Sequence, residues 1–422
     1  MLIEPGNLMD QKARIFVIGV GGGGGNALNR MIEEGMTNVD FVAMNTDAQD
    51  LEYNNSQTKL QIGKELTKGL GAGANSDIGK QAVEENKEII AKTLKNAHMV
   101  FITAGMGGGT GTGAAPAIAR ISKELGILTV GVVTKPFKFE GPMRKNRAEE
   151  GVSELKKNCD TVLVIPNETL LEITDQKTTV TDTFKIADTV LLQATKGISD
   201  LINVPGLINL DFADVSRVMQ NGGDAIMGTG MARGEERAIL AANQAINSPL
   251  LQNKSIKGAR GVLINITSSD DLGIHELEQA SDIIYKAAGY DSDEHIDQDH
   301  GEIIHGFTVD NSLKDEVRVT VIATGLDKES DTESDTESED DSNIISENIS
   351  RYTIPDHRYN NPQTSINIIN NNEDLKGQGK EQDKIDETTN DINLESKEDE
   401  SIPVFGNDDL DIPAYLRNRN LD

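Results

Sequence analysis

Short apolar runs, most of them rich in β-branched residues, recur along the first part of the chain: Ile15–Ile18, Phe41–Met44, Val100–Thr103, Leu128–Val133 and Thr161–Ile165. Unbroken apolar runs closed by turn residues predict strands buried on both faces, as in a parallel sheet. Between them the spacing is helical, and after Asn75-Ser76 the residues Ala82, Ile89, Ile90 and Leu94 are predicted to share one face. This βαβα order predicts an α/β fold whose first domain, residues 11–178, is doubly wound and mainly parallel. From Val180 onward, Val180, Phe184, Ala187, Leu191, Ala194, Ile198 and Leu201 recur every three or four positions. That periodicity predicts a long central helix, placed at 179–208, joining the first domain to another. Strands at Gly261–Thr267, Glu302–Val309 and Glu316–Ala323, with helices near 233–246 and 274–288, predict a second, smaller α/β domain over 209–325.

The patterning stops there. From Leu326 to Glu400 the chain holds 22 Asp and Glu against 7 Lys and Arg, a net −15 that is half the charge of the whole protein. With only Tyr352 and Tyr359 as aromatics, this stretch lacks the apolar surface to offset chain entropy, which predicts a disordered acidic linker over 326–402. It leads to an apolar island within 403–422, DDLDIPAYLRNR, where Ile412, Tyr415 and Leu416 share a helical face and Pro413 suits a first turn. That pattern predicts a docking peptide. Residues 1–10 are read as an N-terminal extension.

Charge and cysteine usage narrow the function classes. With 40 Lys and Arg against 70 Asp and Glu in 422 residues, binding nucleic acid through an overall basic field is excluded, so no nucleic-acid partner is expected. A lone cysteine, Cys159, rules out an intrachain disulfide framework and argues against a thiolate zinc site. The N-terminus carries acidic residues and is followed by no apolar stretch of membrane-spanning length, which predicts a cytoplasmic protein without direct membrane insertion.

The chemistry sits in glycine loops. GVGGGGGNA, Gly19 to Ala27, follows the first predicted strand and opens a helix, a geometry suited to an anion. Gly19, Gly21 and Gly24 also match G-x-G-x-x-G, and Asp47 follows the next strand where a ribose-binding acid would stand, which leaves a dinucleotide-dependent oxidoreductase open as an alternative. A second loop, Ala104 to Pro116, again runs from strand into helix, and Thr110 and Thr112 add hydroxyls. A third, KGLGAGANSD, Lys68 to Asp77, adds backbone N–H groups that include those of Gly73 and Ala74. Two strand-end loops aimed at helix starts make a wider phosphate cradle than a dinucleotide domain needs. The two main loops contain no Lys, His or carboxylate to orient a water, so this cradle reads as built to bind, with the catalytic group supplied from elsewhere. NLDFADVSRVM places Asp211 and Asp214 three apart at a predicted helix start, where they can also act simply as caps. Caps alone would leave a nucleotide-binding scaffold without turnover as a further alternative. His295, His300 and His305, spaced by five, do not align on one helix face and read as a solvated loop rather than a metal site.

GGGTGTG at 107–113, with GVGGGGGNA, NTDAQ at 45–49, GLGAGAN at 69–75, TKPFKFEGPMR at 134–144 and NLDFADV at 209–215, closely resembles the tubulin/FtsZ family over residues 11 to 325. The resemblance implies a self-assembling, filament-forming GTPase of bacterial cell division, acting at the midcell division site, with GTP/GDP and Mg²⁺ as its ligands. It implies that Gly22, Gly23, Gly24, Gly25 and Asn26, together with Gly107, Gly108, Gly109, Thr110, Gly111 and Thr112, hold the phosphates. Glu140 and Arg144 would meet the ribose and neighbouring phosphate, and Asn167, Phe184 and Asp188 the guanine. An acceptor carboxylate such as Asp188 suits the guanine N–H donors. By the same resemblance Asp211 and Asp214, with Asn209, would polarise water in the cleft of the next subunit of a head-to-tail homopolymer. The terminal peptide, through Asp411, Ile412, Pro413, Tyr415, Leu416 and Arg417, would bind a membrane-tethering adaptor such as FtsA, or other division proteins. Ser76 departs from the proline common at that position in the family.

Overall fold

The computed structural model describes residues 12–175, 177–204, 210–252, 254–290 and 301–326. Ten strands form one sheet: β1 (Ile15–Val20), β2 (Asp40–Asn45), β3 (Thr58–Gln61), β4 (Met99–Gly105), β5 (Leu128–Lys135), β6 (Thr161–Pro166), β7 (Gly223–Arg233), β8 (Gly261–Ser268), β9 (Glu302–Val309) and β10 (Glu316–Thr324). Their order is β3-β2-β1-β4-β5-β6-β7-β10-β8-β9. Every pairing is parallel except the two made by β10, so among the described strands β10 alone is reversed.

The apolar runs produce this arrangement because the pleat sends successive side chains to opposite faces. Ile15 and Val17 join a core with Ala27, Leu28 and Met31 of the helix Gly21–Glu33 and with the helix Val180–Asn203. Phe16 and Ile18 join the opposite core, beneath the helices Ser76–Glu85, Lys87–Leu94, Thr110–Glu124 and Pro142–Asn158. A third core lies between β7 to β10 and the helices Arg237–Ile246 and Ile274–Ala288. The helix Val180–Asn203 is the strut of the molecule, since its core also takes in Met227, Leu263, Ile304 and Ile322 from the second half. Its 24 residues extend about 36 Å at helical rise.

The structure departs from the sequence reading at several points. The sheet runs unbroken from the first half into the second, because β6 pairs with β7 through Thr161 to Leu163. β3 and β7 had no apolar signature: TKLQ is a polar edge strand, and GDAIMGTGMAR is interrupted by glycines. Ile89 does not share the buried face with Ala82, Ile90 and Leu94 but is 51% exposed, since the helix breaks at Asn86. Val180 is likewise 64% exposed, because the first turn of its helix projects beyond the core. His305 lies in β9 rather than in a solvated loop; its Nε2 is buried without a hydrogen-bond partner, and burial lowers its pKa. His295, His300, the N-terminal extension, the acidic linker and the terminal peptide from Asp411 to Arg417 lie outside the described residues. Among the described residues no helix is long and apolar enough to cross a membrane.

Candidate functional site

Two helix starts converge at the carboxyl edge of the sheet. The helix Gly21–Glu33 begins directly after β1, and Gly21 stands at φ +69, a left-handed conformation costly for any side chain. The helix Thr110–Glu124 follows β4 through Gly107 at φ +106. Neither start has a side-chain cap and neither first turn contains an acid. Their first N–H groups have no intrahelical acceptors, and the positive ends of both dipoles point the same way. Together they form an anion cradle.

The cradle forms one end of a cleft of about 380 Å³. Gly22, Gly23 and Asn26 line it from the first loop, and Gly108, Gly109, Thr110 and Gly111 from the second. Glu140, Arg144, Asn167, Phe184 and Asp188 complete the predicted set within it. The other predicted loop residues stand behind the wall. Gly24 packs so tightly on the Thr103 carbonyl that a Cβ would lie 2.5 Å from it. The Gly25 carbonyl accepts from Asn54 Nδ2 at 2.9 Å. The Gly107 N–H donates to the Thr112 hydroxyl at 2.8 Å, which turns that hydroxyl into its own loop. Gly73 and Ala74 are exposed and off the cleft, while the neighbouring Asn75 caps the helix Ser76–Glu85. Asp47 is not a cleft residue either. Its carboxylate caps the helix Ala48–Glu52 by accepting from Gln49 and Asp50 N–H, so it is engaged where a dinucleotide enzyme would need it free.

Chemistry changes along the cleft. At the glycine end the walls are uncharged. In the middle, Arg144 donates to Glu140 at 2.5 Å, and the second Glu140 oxygen accepts from Phe137 N–H at 3.0 Å. At the far end Phe184, 40% exposed, stands edge-on to Phe137 with centroids 5.4 Å apart. Burial pushes the Asp188 carboxyl up to about 7, and the nearby Arg30 guanidinium pulls it partly back. Asn167 is buried, and its Oδ1 has no hydrogen-bond partner. A flat ligand with adjacent N–H donors would satisfy Asn167 and restore the charge of Asp188, while its face met the Phe184 ring. Sequence reading missed Thr134, Pro136, Ala187 and Leu191 as lining residues. The last two sit three and seven residues beyond Phe184, so helical spacing was the signal that could have found them.

Asp211 and Asp214 are not in this cleft. They occupy the start of the helix Phe212–Met219, where the Asp211 carboxylate accepts from Asp214 N–H at 2.9 Å. Phe212 there meets His98, the residue before β4, with ring centroids 6.1 Å apart, which puts this helix at the amino edge of the sheet. Asn209 lies outside the described residues. Among the described residues no group of three His, Cys, Asp or Glu could hold a metal ion. The residues present therefore fit Mg²⁺ only as an ion carried largely by ligand phosphates and water, which is how that ion is usually held.

Comparison with known proteins places this geometry. Residues 14–175 match the GTPase domain of the tubulin/FtsZ family, and residues 223–327 match the C-terminal domain of the FtsZ family. An empty FtsZ dimer from M. jannaschii is 45% identical over 76% of this chain and 90% of that one, with a TM-score of 0.70. A point mutant of M. jannaschii FtsZ gives 45% identity over 75% and 92%, with a TM-score of 0.69. GDP-bound CetZ1 from Haloferax volcanii, 19% identical over 74% and 94% with a TM-score of 0.63, shares the fold.

Proposed function

The chain belongs to the FtsZ family of tubulin-like GTPases, and from that premise we propose that it polymerises head to tail and hydrolyses GTP at a site completed between subunits. The tubulin/FtsZ GTPase domain implies guanine-nucleotide binding. In this reading the two glycine loops hold the phosphates, Glu140 and Arg144 meet the ribose and adjoining phosphate, Phe184 stacks on the base, and Asn167 and Asp188 read its edge. Mg²⁺, when bound with the nucleotide, supplies charge neutralisation on the phosphates. Asp211, Asp214 and Asn209 come from the neighbouring copy and orient the attacking water. Its oxygen bonds to the γ-phosphorus as the bond to GDP breaks, and its proton passes to a carboxylate or to solvent.

The observation that carries this reading is the separation of the parts. The cleft has cradle and base pocket but no carboxylate lining its glycine end, since the Asp50 carboxylate beside Gly22 lies off the cleft and accepts from Asn45 Nδ2 at 2.9 Å, while two carboxylates stand at the opposite edge of the same sheet. A heterologous contact repeated along a filament brings such edges together. The dimeric M. jannaschii relative supports self-association. The engaged Asp47 and the uncapped second loop disfavour the oxidoreductase alternative. Assembled at midcell, the filament would be tethered through Asp411 to Arg417 to an adaptor such as FtsA.

GTP turnover per molecule, measured against protein concentration with light scattering in parallel, tests the proposal. A shared threshold below which both signals vanish is expected. Constant turnover per molecule down to dilute monomer would mean that each chain carries a complete site.

A further inference from the structure

At the amino edge of the sheet one cation faces three anions. Arg217, one turn beyond Asp214 on the helix Phe212–Met219, grips Glu302 with two nitrogens, Nε to Oε2 at 2.8 Å and Nη2 to Oε1. The same Nη2 reaches Asp214 Oδ1 at 3.4 Å. Glu302 is the first residue of β9, and its N–H donates to the Arg260 carbonyl at 2.9 Å, so the grip is anchored in the sheet. Asp211 fixes the backbone of Asp214 by accepting its N–H. Only Arg217 holds the Asp214 side chain among the hydrogen bonds and ion pairs of the described residues. Arg217 remains largely solvent-facing, as a group presented to another molecule would be.

Resting on the shared-site reading above, we propose that Arg217 is the positioning residue of Asp214: pinned by Glu302, it fixes the direction in which the carboxylate is presented to the neighbouring subunit. The bidentate grip supplies the geometry, because a guanidinium held by two parallel hydrogen bonds leaves its shared nitrogen with little freedom. The charge matters as well. Driving Asp211 and Asp214 against a triphosphate is opposed by like-charge repulsion, and a guanidinium travelling on the same helix turn offsets part of it. Lysine would carry the charge without the fork.

Steady-state GTP turnover by the full chain, with kcat and KM resolved and polymer followed by sedimentation, is compared for wild type, Arg217→Ala, Arg217→Lys and Asp214→Ala. Arg217→Ala is expected to polymerise as wild type does, with unchanged KM, and to lose about three- to tenfold in kcat. Arg217→Lys, which keeps the charge without the fork, is expected to restore part of the rate. Wild-type kcat in Arg217→Ala would overturn the assignment. So would a lost rate accompanied by lost polymer or a changed KM, because that is the mark of a merely structural residue. Wild-type turnover in Asp214→Ala would instead overturn the shared site itself.

Discussion

At the amino end of the helix Val180–Asn203, Phe184 and Asp188 look into a cleft whose phosphate end is built from uncharged backbone. Beyond its carboxyl end, Asp211, Asp214, Arg217 and Glu302 gather four charges around one short helix. At its glycine end the first region is suited to anions by geometry: strands that stop together, glycines that let backbones approach, and two dipoles pointing the same way. The second has charge, and none of its four residues lines that cleft. A binding surface without a base and a base without a binding surface are what a reaction divided between two copies requires. In the proposed filament, the helix Val180–Asn203 would hold these two edges at a fixed separation within each copy.

The contrast makes each region breakable on its own. The largest effect is expected from Asp214→Asn, which removes the carboxylate without changing its size: turnover should fall by about 10²- to 10⁴-fold while GDP affinity, measured by fluorescence titration, stays at the wild-type value. Gly113→Ala strikes the other end through packing, since its Cβ would stand 1.8 Å from the Ser76 carbonyl. A loss of about 1–3 kcal/mol in stability by denaturant titration is expected, with weakened nucleotide binding, because this contact seats the second phosphate-loop helix. Acidification should act at the cleft, through Asp188. Asp188 holds its proton up to about pH 7 in the folded chain without nucleotide, whereas the unfolded carboxyl ionises near its ordinary value. Between those values the native state carries the extra proton, so this group lowers stability progressively as pH rises through that window and fully above it. Nucleotide selects the carboxylate, so affinity should weaken as pH falls below about 7, by at most about tenfold per unit. A pH-independent affinity would remove Asp188 from base recognition. The smallest effect is expected from Phe184→Leu, which keeps apolar surface and loses the ring, at about 0.5–1.5 kcal/mol in GDP affinity by calorimetry.

How far the sequence reveals all this depends on how local each signal is. β1, β2, β4, β5 and β6 announce themselves because parallel strands buried on both faces need continuous apolar runs, and Ile15 to Ile18 or Val100 to Thr103 supply them. β3 gives no such signal because an edge strand exposes half its surface, and β7 none because glycines at 228 and 230 admit the backbone of the helix Arg237–Ile246. That β6 and β7 join the two halves into one sheet is a long-range pairing which no window of residues contains. At the site, Gly22, Gly109 and Thr110 are legible from the loops themselves, and Glu140, Asn167 and Asp188 from motif resemblance. Gly24 and Thr112 belong to the same motifs but support the wall rather than form it, a distinction set by which way each atom faces after folding. The roles of Asp47 as a cap and of Arg217 as a clamp likewise depend on partners placed by the fold.

Mixing two inactive variants tests the divided site most directly. Asp214→Asn keeps the cleft and loses the far-end base. Gly108→Glu does the opposite, because a side chain at Gly108 meets nothing within 4 Å and so should fold normally while placing a carboxylate where phosphate must sit. In a head-to-tail polymer, an intact cleft of the first variant meets the intact Asp214 of the second. An equimolar mixture should therefore regain about a quarter of wild-type GTP turnover, the share of contacts that pair two working halves at random. Turnover no greater than the sum of the separate variants would show that cleft and carboxylates do not act across the contact between copies.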